Sequence, residues 1–491
     1  MLEVIRQARA QGERCSILSD GQEYSYSELI EASQNISSLL LDGRKDLQED
    51  RIAFMVDPGF DYVSCLWGIW QAGGIAVPLS LSSPAPAIQY VLDDTACHLV
   101  VASLAYTPLL EPLCKATGVK LVVLGPSKTS LPVSLPEIDV TRRAMILYTS
   151  GTTNQPKGVV TTHKNLNAQI STLVKAWEWT PRDHTLCVLP LHHVHGIINV
   201  LSCSLWAGAR CEFIPDFDPL GVFRVFIQGH VNVFMAVPTI YFKLIALWEL
   251  MKPEEQLTVS TTLKAMRLMI SGSAALPVSV MDNWEKISGH KLLERYGMTE
   301  LGMVLSNPYD GPRKAGKVGL PLEGVGVRLC DDQNTPVVNE PGEIQVRGDN
   351  VFIEYWRKPE ATQASFTPDG WFKTGDVAVL EEGYYRILGR KSVDIIKSGG
   401  YKISALEIEE VLRTHPLVND CAVVGLENEE WGEIVAAAIV LRSGNMNLDE
   451  LGSWLKERIP PYRVPRRFLQ LDDLPRNAMG KVTKNEVKKL F

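Results

Sequence analysis

The stretch that decides the fold is AMILYTSGTTNQPKGV, residues 144–159. An apolar run of strand type, Ala144–Leu147, leads into a short segment with Gly151, Lys157 and Gly158. Glycines let successive backbone N–H groups converge into a concave nest that binds phosphate oxygens, and a lysine adds positive charge. Further hydroxyl donors are Thr149, Ser150, Thr152 and Thr153. The stretch predicts a strand followed by a loop that binds the phosphates of a nucleoside triphosphate.

This loop is not a Walker A sequence. That motif places a lysine directly after its second glycine and a Ser or Thr after the lysine. Here Lys157 precedes Gly158, and Val159 follows. A polar loop between a strand and a helix is the alternative interpretation, because the same residue types dominate turns. The stretch alone does not decide between the two.

Length and composition indicate a globular protein of two or more domains. The chain has 491 residues, with 45% hydrophobic and 22% charged residues. A net charge of −8 without a Lys/Arg-rich run argues against nucleic acid as a partner. Nine cysteines without a CxxC pair argue against a disulfide framework and favour a reducing compartment.

The sequence shows no sign of secretion or membrane insertion. Its first residues, MLEVIRQARA, lack the apolar core of a signal peptide, and no run approaches the ~20 apolar residues that span a bilayer. We expect a cytoplasmic protein with no membrane partner. Organelle import stays open, since a transit peptide is removable, and the oligomeric state is undetermined.

Strand-like and helix-like segments alternate over the first 390 residues, which favours parallel sheets covered on both faces. The predicted strands include Arg51–Val56, Gly74–Leu79, His98–Ala102, Lys120–Leu124, Thr185–Leu189, Val231–Val237 and Arg267–Ile270. Between about 317 and 389, short strands and Gly/Pro/Asp turns predict a β-rich subdomain. A unit of α+β character follows, with a helix at Ser404–Arg413 and a basic tail.

Five further segments carry side chains suited to nucleotide chemistry. They are SGSAAL (271–276), ERYGMTE (294–300), TGD (374–376), GR (389–390) and PRNAMGK (475–481). Small residues leave room for a flat base, and a carboxylate such as Glu300 suits Mg²⁺, which also takes phosphate oxygens. Asp376 offers a carboxylate to two sugar hydroxyls, and Arg390 can reach a ribose.

In this order and spacing, the loop and these segments resemble the acyl-adenylate-forming superfamily, which comprises acyl-CoA synthetases, luciferases and the adenylation domains of peptide synthetases. The resemblance runs from about residue 10 to 491. It implies an α/β protein with a large N-terminal domain (1–389) of layered, parallel-rich αβα sheets plus the β-rich subdomain. It also implies a hinge at 390–394 and a small, mobile α+β lid domain at 395–491.

The resemblance also implies a two-step reaction that uses ATP, Mg²⁺ and coenzyme A. A carboxylate attacks the α-phosphate of ATP to give an acyl-adenylate and pyrophosphate, and a thiol then attacks the acyl group. Lys481 bridges the carboxylate and the α-phosphate, Thr299 contacts the α-phosphate, and Glu300 coordinates Mg²⁺. These three residues are the expected catalytic set.

The remaining contacts are assigned residue by residue from the same resemblance. The β- and γ-phosphates are held by Thr149, Ser150, Gly151, Thr152, Thr153 and Lys157. The adenine and α-phosphate region is formed by Ser273, Ala274, Ala275, Glu294, Tyr296, Gly297, Met298 and Thr299. The ribose is held by Asp376 and Arg390. The thiol of coenzyme A is met by Ser398, Gly399, Gly400 and Tyr401 after the small domain rotates.

The hinge departs from the family pattern. Many members carry Asp or Lys two residues after the junction arginine, whereas this chain has Ser392 there and Asp394 two residues further on. We therefore expect the hinge within 390–394 without assigning it to one residue.

The expected acid pocket contains an arginine. Alternation along a strand points Arg295 the same way as Gly297, which borders the acyl pocket in relatives. His195 and Ser273 add polar groups, and an arginine fork with such partners suits a second, distal carboxylate. The surrounding sequence looks like that of the malonyl-CoA synthetases, so malonate or methylmalonate is the expected acid. The alternative is that Arg295 pairs with a neighbouring carboxylate such as Glu294.

Three other functions stay open on sequence grounds. The first is ligation of a short monocarboxylate such as acetate, propionate or butyrate. The second is transfer of the acyl group to a carrier-protein thiol in place of coenzyme A. The third is an inactive relative that only binds nucleotide or acyl ligand, which the joint presence of Glu300, Asp376, Arg390 and Lys481 disfavours.

Overall fold

The structure, a computed structural model, describes residues 2–125, 134–149, 155–214, 216–442, 446–477 and 481–491. Its strands are β1 Cys15–Ser19, β2 Gln22–Ser25, β3 Arg51–Met55, β4 Ile75–Pro78, β5 Leu99–Ala102, β6 Lys120–Val123, β7 Arg143–Thr149, β8 Lys157–Thr162, β9 His184–Cys187, β10 Arg210–Phe213, β11 Val233–Ala236, β12 Leu268–Ser271, β13 Leu293–Met298, β14 Gly302–Ser306, β15 Leu320–Pro321, β16 Gly326–Cys330, β17 Gly342–Arg347, β18 Glu354–Tyr355, β19 Phe372–Glu381, β20 Tyr384–Arg390, β21 Ile395–Ser398, β22 Tyr401–Ser404, β23 Val418–Asn428, β24 Gly432–Leu441 and β25 Arg467–Leu471.

The α-helices are α1 Glu3–Arg9, α2 Tyr26–Leu41, α3 Phe60–Gln71, α4 Ala85–Thr95, α5 Thr107–Thr117, α6 His163–Ala176, α7 Cys203–Trp206, α8 Pro219–Ile227, α9 Pro238–Leu250, α10 Pro253–Lys264, α11 Val278–Ser288, α12 Pro359–Ser365, α13 Ala405–Arg413, α14 Leu448–Lys456 and α15 Lys484–Lys488. A π-helix, His195–Ser202, precedes α7, and short 3₁₀ turns lie at Leu104–Tyr106 and Pro461–Arg463. None of the helices within the described ranges is long and apolar enough to cross a bilayer.

Two large sheets form the N-terminal part of the molecule. One has the order β15-β14-β13-β12-β11-β9-β10-β1-β2 and the other β18-β8-β7-β4-β3-β5-β6. Their central strands run parallel, as in β11–β12 and β3–β4, whereas edge pairs such as β13–β14 and β7–β8 are antiparallel. The helices between successive parallel strands supply the crossovers that such pairing needs. This arrangement confirms the predicted α/β class, and every strand predicted from its apolar run is present.

The largest apolar core joins helices and strands of both sheets. Its bulkiest members, Trp67, Trp70, Trp177 and Trp284, are at most 2% exposed. Helix α3 is buried from Tyr62 to Gln71, so it lies between layers with no face left in water. Burial of this kind fixes the strand ends that carry the site.

A β-rich unit and a small domain complete the fold. Strands β16-β17-β19-β20 form an antiparallel sheet that ends at Arg390, and residues 391–394 lead to β21. In the small domain β24 pairs with β21, β23 and β25, and α13 packs on β23. The domain boundaries and the hinge at 390–394 stay predictions.

Candidate active site

The ends of the predicted phosphate loop belong to an antiparallel strand pair. Thr149 at the end of β7 is the register partner of Lys157 at the start of β8. Ser150, Gly151, Thr152 and Thr153 lie outside the described residues. The Lys157 ammonium lies 5.0 Å from the centre of the Tyr355 ring, a cation–π contact that holds the lysine at the start of β8.

Glu300 sits in the turn between β13 and β14 and is 7% exposed. Its Oε1 accepts a 2.8 Å hydrogen bond from the Tyr355 hydroxyl. Burial raises the pKa of Glu300, and the hydrogen bond from Tyr355 opposes that rise. Tyr355 therefore contacts both Glu300 and Lys157. The carboxylate predicted to coordinate Mg²⁺ and the lysine predicted to bind phosphate thus lie beside the same tyrosine.

Asp376 and Arg390 are register partners on β19 and β20. Arg390 donates from Nε to Asp376 Oδ1 at 2.9 Å and from Nη2 to Oδ2 at 3.2 Å. The Tyr296 hydroxyl donates to the same carboxylate at 2.6 Å. Burial is the largest single influence on the pKa of Arg390 and lowers it, but the charge and hydrogen bonds of Asp376, together with the charges of Tyr296 and Glu300, raise that pKa overall. The predicted ribose pair and the predicted adenine neighbour thus form one hydrogen-bonded group.

Arg295 is 2% exposed, and no hydrogen-bond partner for its guanidinium nitrogens exists among the described residues. Burial lowers the pKa of Arg295, and the charge of Glu294 opposes the shift. The guanidinium lies against Gly272, where an added Cβ would come within 2.5 Å of Cζ. Gly272 is therefore required for Arg295 to reach this position.

Glu294 faces elsewhere, as strand alternation requires. Its Oε1 accepts the Leu276 N–H at 3.1 Å, and its backbone oxygen accepts from the Asn307 side chain at 2.9 Å. Burial raises the pKa of Glu294 to about 8. Glu294 therefore holds the 272–277 turn, and the alternative in which it neutralises Arg295 through a direct ion pair is not what the structure has.

His195 and Ser273 are brought together. Ser273 Oγ lies 3.1 Å from His195 Nδ1, and Ser273 adopts a left-handed backbone with φ of 70°. His195 is buried at the start of the π-helix, and its Nε2 has no partner among the described residues. Burial, followed by the charge of Arg295, lowers the pKa of His195, so the imidazole is neutral.

The turn after β12 carries residues that are predicted to contact the base. Ala274 and Ala275 are exposed, whereas Leu276 is buried. On the neighbouring hairpin, Gly297 pairs with Met303 and Met298 pairs with Gly302. Thr299, predicted at the α-phosphate, is half-buried in the turn that follows Met298.

Lys481, from the tail of the small domain, reaches the same site. Burial, together with the positive charges of Arg295 and Arg390, lowers the pKa of Lys481 to about 8, while Asp376 acts in the opposite sense. The charge of Lys481 also acts on His193 and His195. The tail lysine therefore lies within electrostatic reach of both the predicted acid pocket and the predicted ribose pair.

The segment predicted to meet coenzyme A forms a hairpin turn in the small domain. Gly399 and Gly400 have φ values of 55° and 84°, and an added Cβ at Gly399 would lie 2.7 Å from the Trp431 ring. Ser398 is buried and pairs with Gly432. Tyr401 is 56% exposed and stacks on Tyr462 at 4.4 Å. The contacts of this turn are made within the small domain.

The model of the AMP-binding enzyme family matches residues 4–356, and that of the AMP-binding enzyme C-terminal domain matches residues 407–481. The chain belongs to the AMP-binding enzyme family. A mitochondrial malonate–CoA ligase of Xenopus laevis is 42% identical over 99% of this chain and 91% of its own. A malonate–CoA ligase of Arabidopsis thaliana is 40% identical over 100% of this chain and 89% of its own. The crystal structure of ATP-bound MatB from Rhodopseudomonas palustris superposes with a TM-score of 0.92, at 31% identity over 100% of this chain and 98% of that one.

Two residues of this AMP-binding enzyme site were not predicted from sequence. Tyr355 contacts Glu300 and Lys157, and Gly272 admits the Arg295 guanidinium. Tyr355 stands in no short motif, and its role depends on β18 pairing with β8. Gly272 lies within SGSAAL, so the sequence indicated a run of small residues there. It did not indicate that the Arg295 side chain, which comes from strand β13, approaches this glycine.

Proposed function

We propose that the protein is an AMP-forming acid–thiol ligase that converts malonate and coenzyme A to malonyl-CoA through an acyl-adenylate. The observation that carries this proposal is Arg295, a buried guanidinium without a protein partner among the described residues, beside the His195–Ser273 pair. An unpaired buried charge is costly, and a second carboxylate on the substrate would neutralise it.

We expect a short acid, because the cations predicted to bind its two carboxylates act on each other electrostatically. Lys481, the predicted partner of the reacting carboxylate, lies near enough to Arg295 for the charge of Arg295 to act on its pKa. An acid whose two carboxylates are separated by a single carbon fits between such cations, and methylmalonate adds only a methyl group. Neutral His195 and Ser273 then orient the distal carboxylate by hydrogen bonding.

In the first half-reaction, a malonate carboxylate oxygen bonds to the α-phosphorus of ATP, and the bond from that phosphorus to the pyrophosphate oxygen breaks. Lys157 and the loop after β7 hold the departing pyrophosphate, and Lys481 bridges the carboxylate and the α-phosphate. In the second half-reaction, the thiol sulfur of coenzyme A bonds to the acyl carbon, its proton is released, and AMP departs. Fixed cations stabilise the charge that develops on phosphate oxygens.

The Glu300 carboxylate fits a magnesium ion. Mg²⁺ commonly takes one or two protein carboxylates and fills its other positions with water and substrate phosphates. When bound, the ion supplies Lewis-acid charge at the phosphates. Glu300 would hold it, and Tyr355 orients that carboxylate through its hydroxyl.

The cysteines of the chain and the name of one relative bear on the cellular compartment in which the protein works. All nine cysteines are free, which fits a reducing compartment. The Xenopus relative is named a mitochondrial protein. These observations support work in a reducing compartment, either the cytoplasm or an organelle reached by import.

The test is pyrophosphate release from ATP with malonate, methylmalonate, succinate, acetate and butyrate, each with and without coenzyme A. We expect kcat/KM for malonate to exceed that for acetate or butyrate by about 100-fold, because a charge-assisted pair contributes about 1.5–3 kcal/mol. Free malonyl-CoA in the reaction distinguishes coenzyme A from a carrier-protein thiol. Equal rates with monocarboxylates would refute the malonate assignment.

A further inference from the structure

The segment that carries Lys481 is attached to the small domain by buried charges at its C-terminal end. Lys484 Nζ lies 2.6 Å from Asp394 Oδ1 and 2.6 Å from Glu409 Oε1. The side chains of Lys484 and Glu409 are 9% and 4% exposed. In such surroundings one cation between two carboxylates holds a definite geometry, since removing it leaves two buried charges without compensation.

The other end of the segment joins the same group of charges. Arg476 forms an ion pair with Asp420, and Arg413 lies between Asp420 and Glu409, 3.7 Å from the first and 3.5 Å from the second. Arg476 also forms a β-bridge with Val482. Both flanks of Lys481 are thus tied to one network.

Asp394 connects this network to the ribose-binding pair. Its Oδ2 accepts the backbone N–H of Arg390 at 2.9 Å, and its own N–H donates to the Arg390 carbonyl at 2.7 Å. The Arg390 side chain binds Asp376. Asp394 therefore contacts both Lys484 and Arg390, the last residue of β20.

We propose that Lys484 is a positioning residue, which acts with Asp394 and Glu409 to hold the Lys481 segment against the Asp376–Arg390 pair for the adenylation step. The proposal rests on the proposed two-step function and adds a residue to it. The bonds between Asp394 and Arg390 span 391–393, so a change of backbone torsions there separates these atoms. The link from Asp394 to Arg390 is therefore specific to the conformation in which Lys481 occupies the site, whereas the other contacts of the network lie within the small domain.

The test compares the two half-reactions in Lys484→Met, which removes the charge and keeps an unbranched side chain. We measure acid-dependent ATP–pyrophosphate exchange, and separately thioester formation from supplied acyl-adenylate and coenzyme A. The exchange rate is expected to fall at least 10-fold more than the thioester rate. Asp394→Asn, which keeps the shape of the side chain, is expected to shift the ratio in the same direction by a smaller factor.

Leu412→Ala is the matched control. Leu412 lies on the same helix as Glu409, is fully buried and belongs to the apolar core of the small domain. Its truncation loosens the domain and is expected to change both half-reactions by the same factor. If Lys484→Met and Asp394→Asn also change both equally, or leave exchange intact, Lys484 has no positioning role.

The acid used is whichever one the unaltered enzyme activates fastest. A wrong assignment of malonate therefore leaves this test valid, and its outcome concerns Lys484 alone.

Discussion

Lys481 lies near two other cations, Arg295 and Arg390, and their charges make the adenylation step depend on pH. Arg295 and Arg390 act on it together with burial, and the pKa of Lys481 falls to about 8. Only the protonated lysine can bridge a carboxylate and a phosphate, so its useful form is lost as pH rises through this value. Adenylation is therefore predicted to be more alkali-sensitive than an exposed lysine would make it.

We predict that kcat/KM for malonate-dependent ATP–pyrophosphate exchange declines above pH 8, since this parameter reports groups of the free enzyme. Lys481→Arg keeps its charge through this range. In the residual activity of that variant, the alkaline decline is expected to move upward by about one pH unit, to the range in which Arg295, whose pKa burial lowers to about 9, loses its charge. A decline at the same pH in both proteins would assign it to another group.

Arg295 shows what a strand pattern can and cannot predict. Alternation along β13 explains why Arg295 and Glu294 do not pair, because neighbouring side chains of a strand face opposite ways, although the sequence left that pairing open. The pattern did not indicate that Gly272 had to be a glycine, since that requirement arises from the close approach of a guanidinium on another strand. The role of Arg295 in binding an acid stays a prediction.

At the scale of elements, the turn between β13 and β14 is held by the segment that precedes and includes β18. Asn350 Nδ2 donates to the Leu301 carbonyl at 2.7 Å, and the Phe352 N–H donates to the Glu300 carbonyl at 2.7 Å. Tyr355 adds the hydrogen bond to the Glu300 carboxylate. The carboxylate proposed for magnesium is thus fixed by a distant segment of chain.

Tyr355→Phe removes that hydrogen bond and is predicted to raise the Mg²⁺ concentration for half-maximal exchange. Partners that orient a metal-binding carboxylate typically affect metal affinity about 10–100-fold, and the lower end is expected here. The measurement is a Mg²⁺ titration of pyrophosphate exchange. Tyr384→Phe, which loses only a hydrogen bond to the Pro312 carbonyl, is the control and should leave the titration unchanged. Identical titrations for all three proteins would contradict the proposed role.

The alternating strands and helices were predictable because each buried parallel strand leaves a local apolar run, as at β3, β5 and β9. The π-helix at His195–Ser202 was not predicted. Its apolar residues leave no periodicity that distinguishes it from an ordinary buried helix. The hydrogen bonds from residues 350–355 to the turn that contains Glu300 were also not predicted, since they join segments far apart in sequence.

At the scale of the whole molecule, several ion pairs join the β-rich sheet to the hinge and the small domain. Asp332 pairs with Lys391 at 2.6 Å and Lys402 at 2.7 Å, and Arg386 pairs with Glu407 at 2.8 Å. Such half-exposed pairs contribute about 1 kcal/mol or less each. Ion pairs of this strength can break and re-form at low cost. The predicted rotation of the small domain between half-reactions requires such a change of contacts.

Lys481→Ala is predicted to separate the two half-reactions. Adenylation should be reduced by at least about 100-fold, because a positioned cation at the transferring phosphoryl group is lost. Thioester formation from supplied malonyl-adenylate should stay near the rate of the unaltered enzyme, since the rotated domain no longer uses this lysine. Equal losses in both assays would contradict the two-conformation scheme.

The most direct test of the central claim, that Arg295 binds the distal carboxylate of malonate, is ATP–pyrophosphate exchange in Arg295→Ala with malonate and with butyrate. We predict that exchange with malonate falls about 100-fold or more while the KM for ATP changes little, because the lost contact is to the acid alone. Arg313→Ala removes a half-buried arginine that binds backbone carbonyls near the site, and should keep the preference for malonate. Exchange with malonate at a near-normal rate in Arg295→Ala would contradict the account.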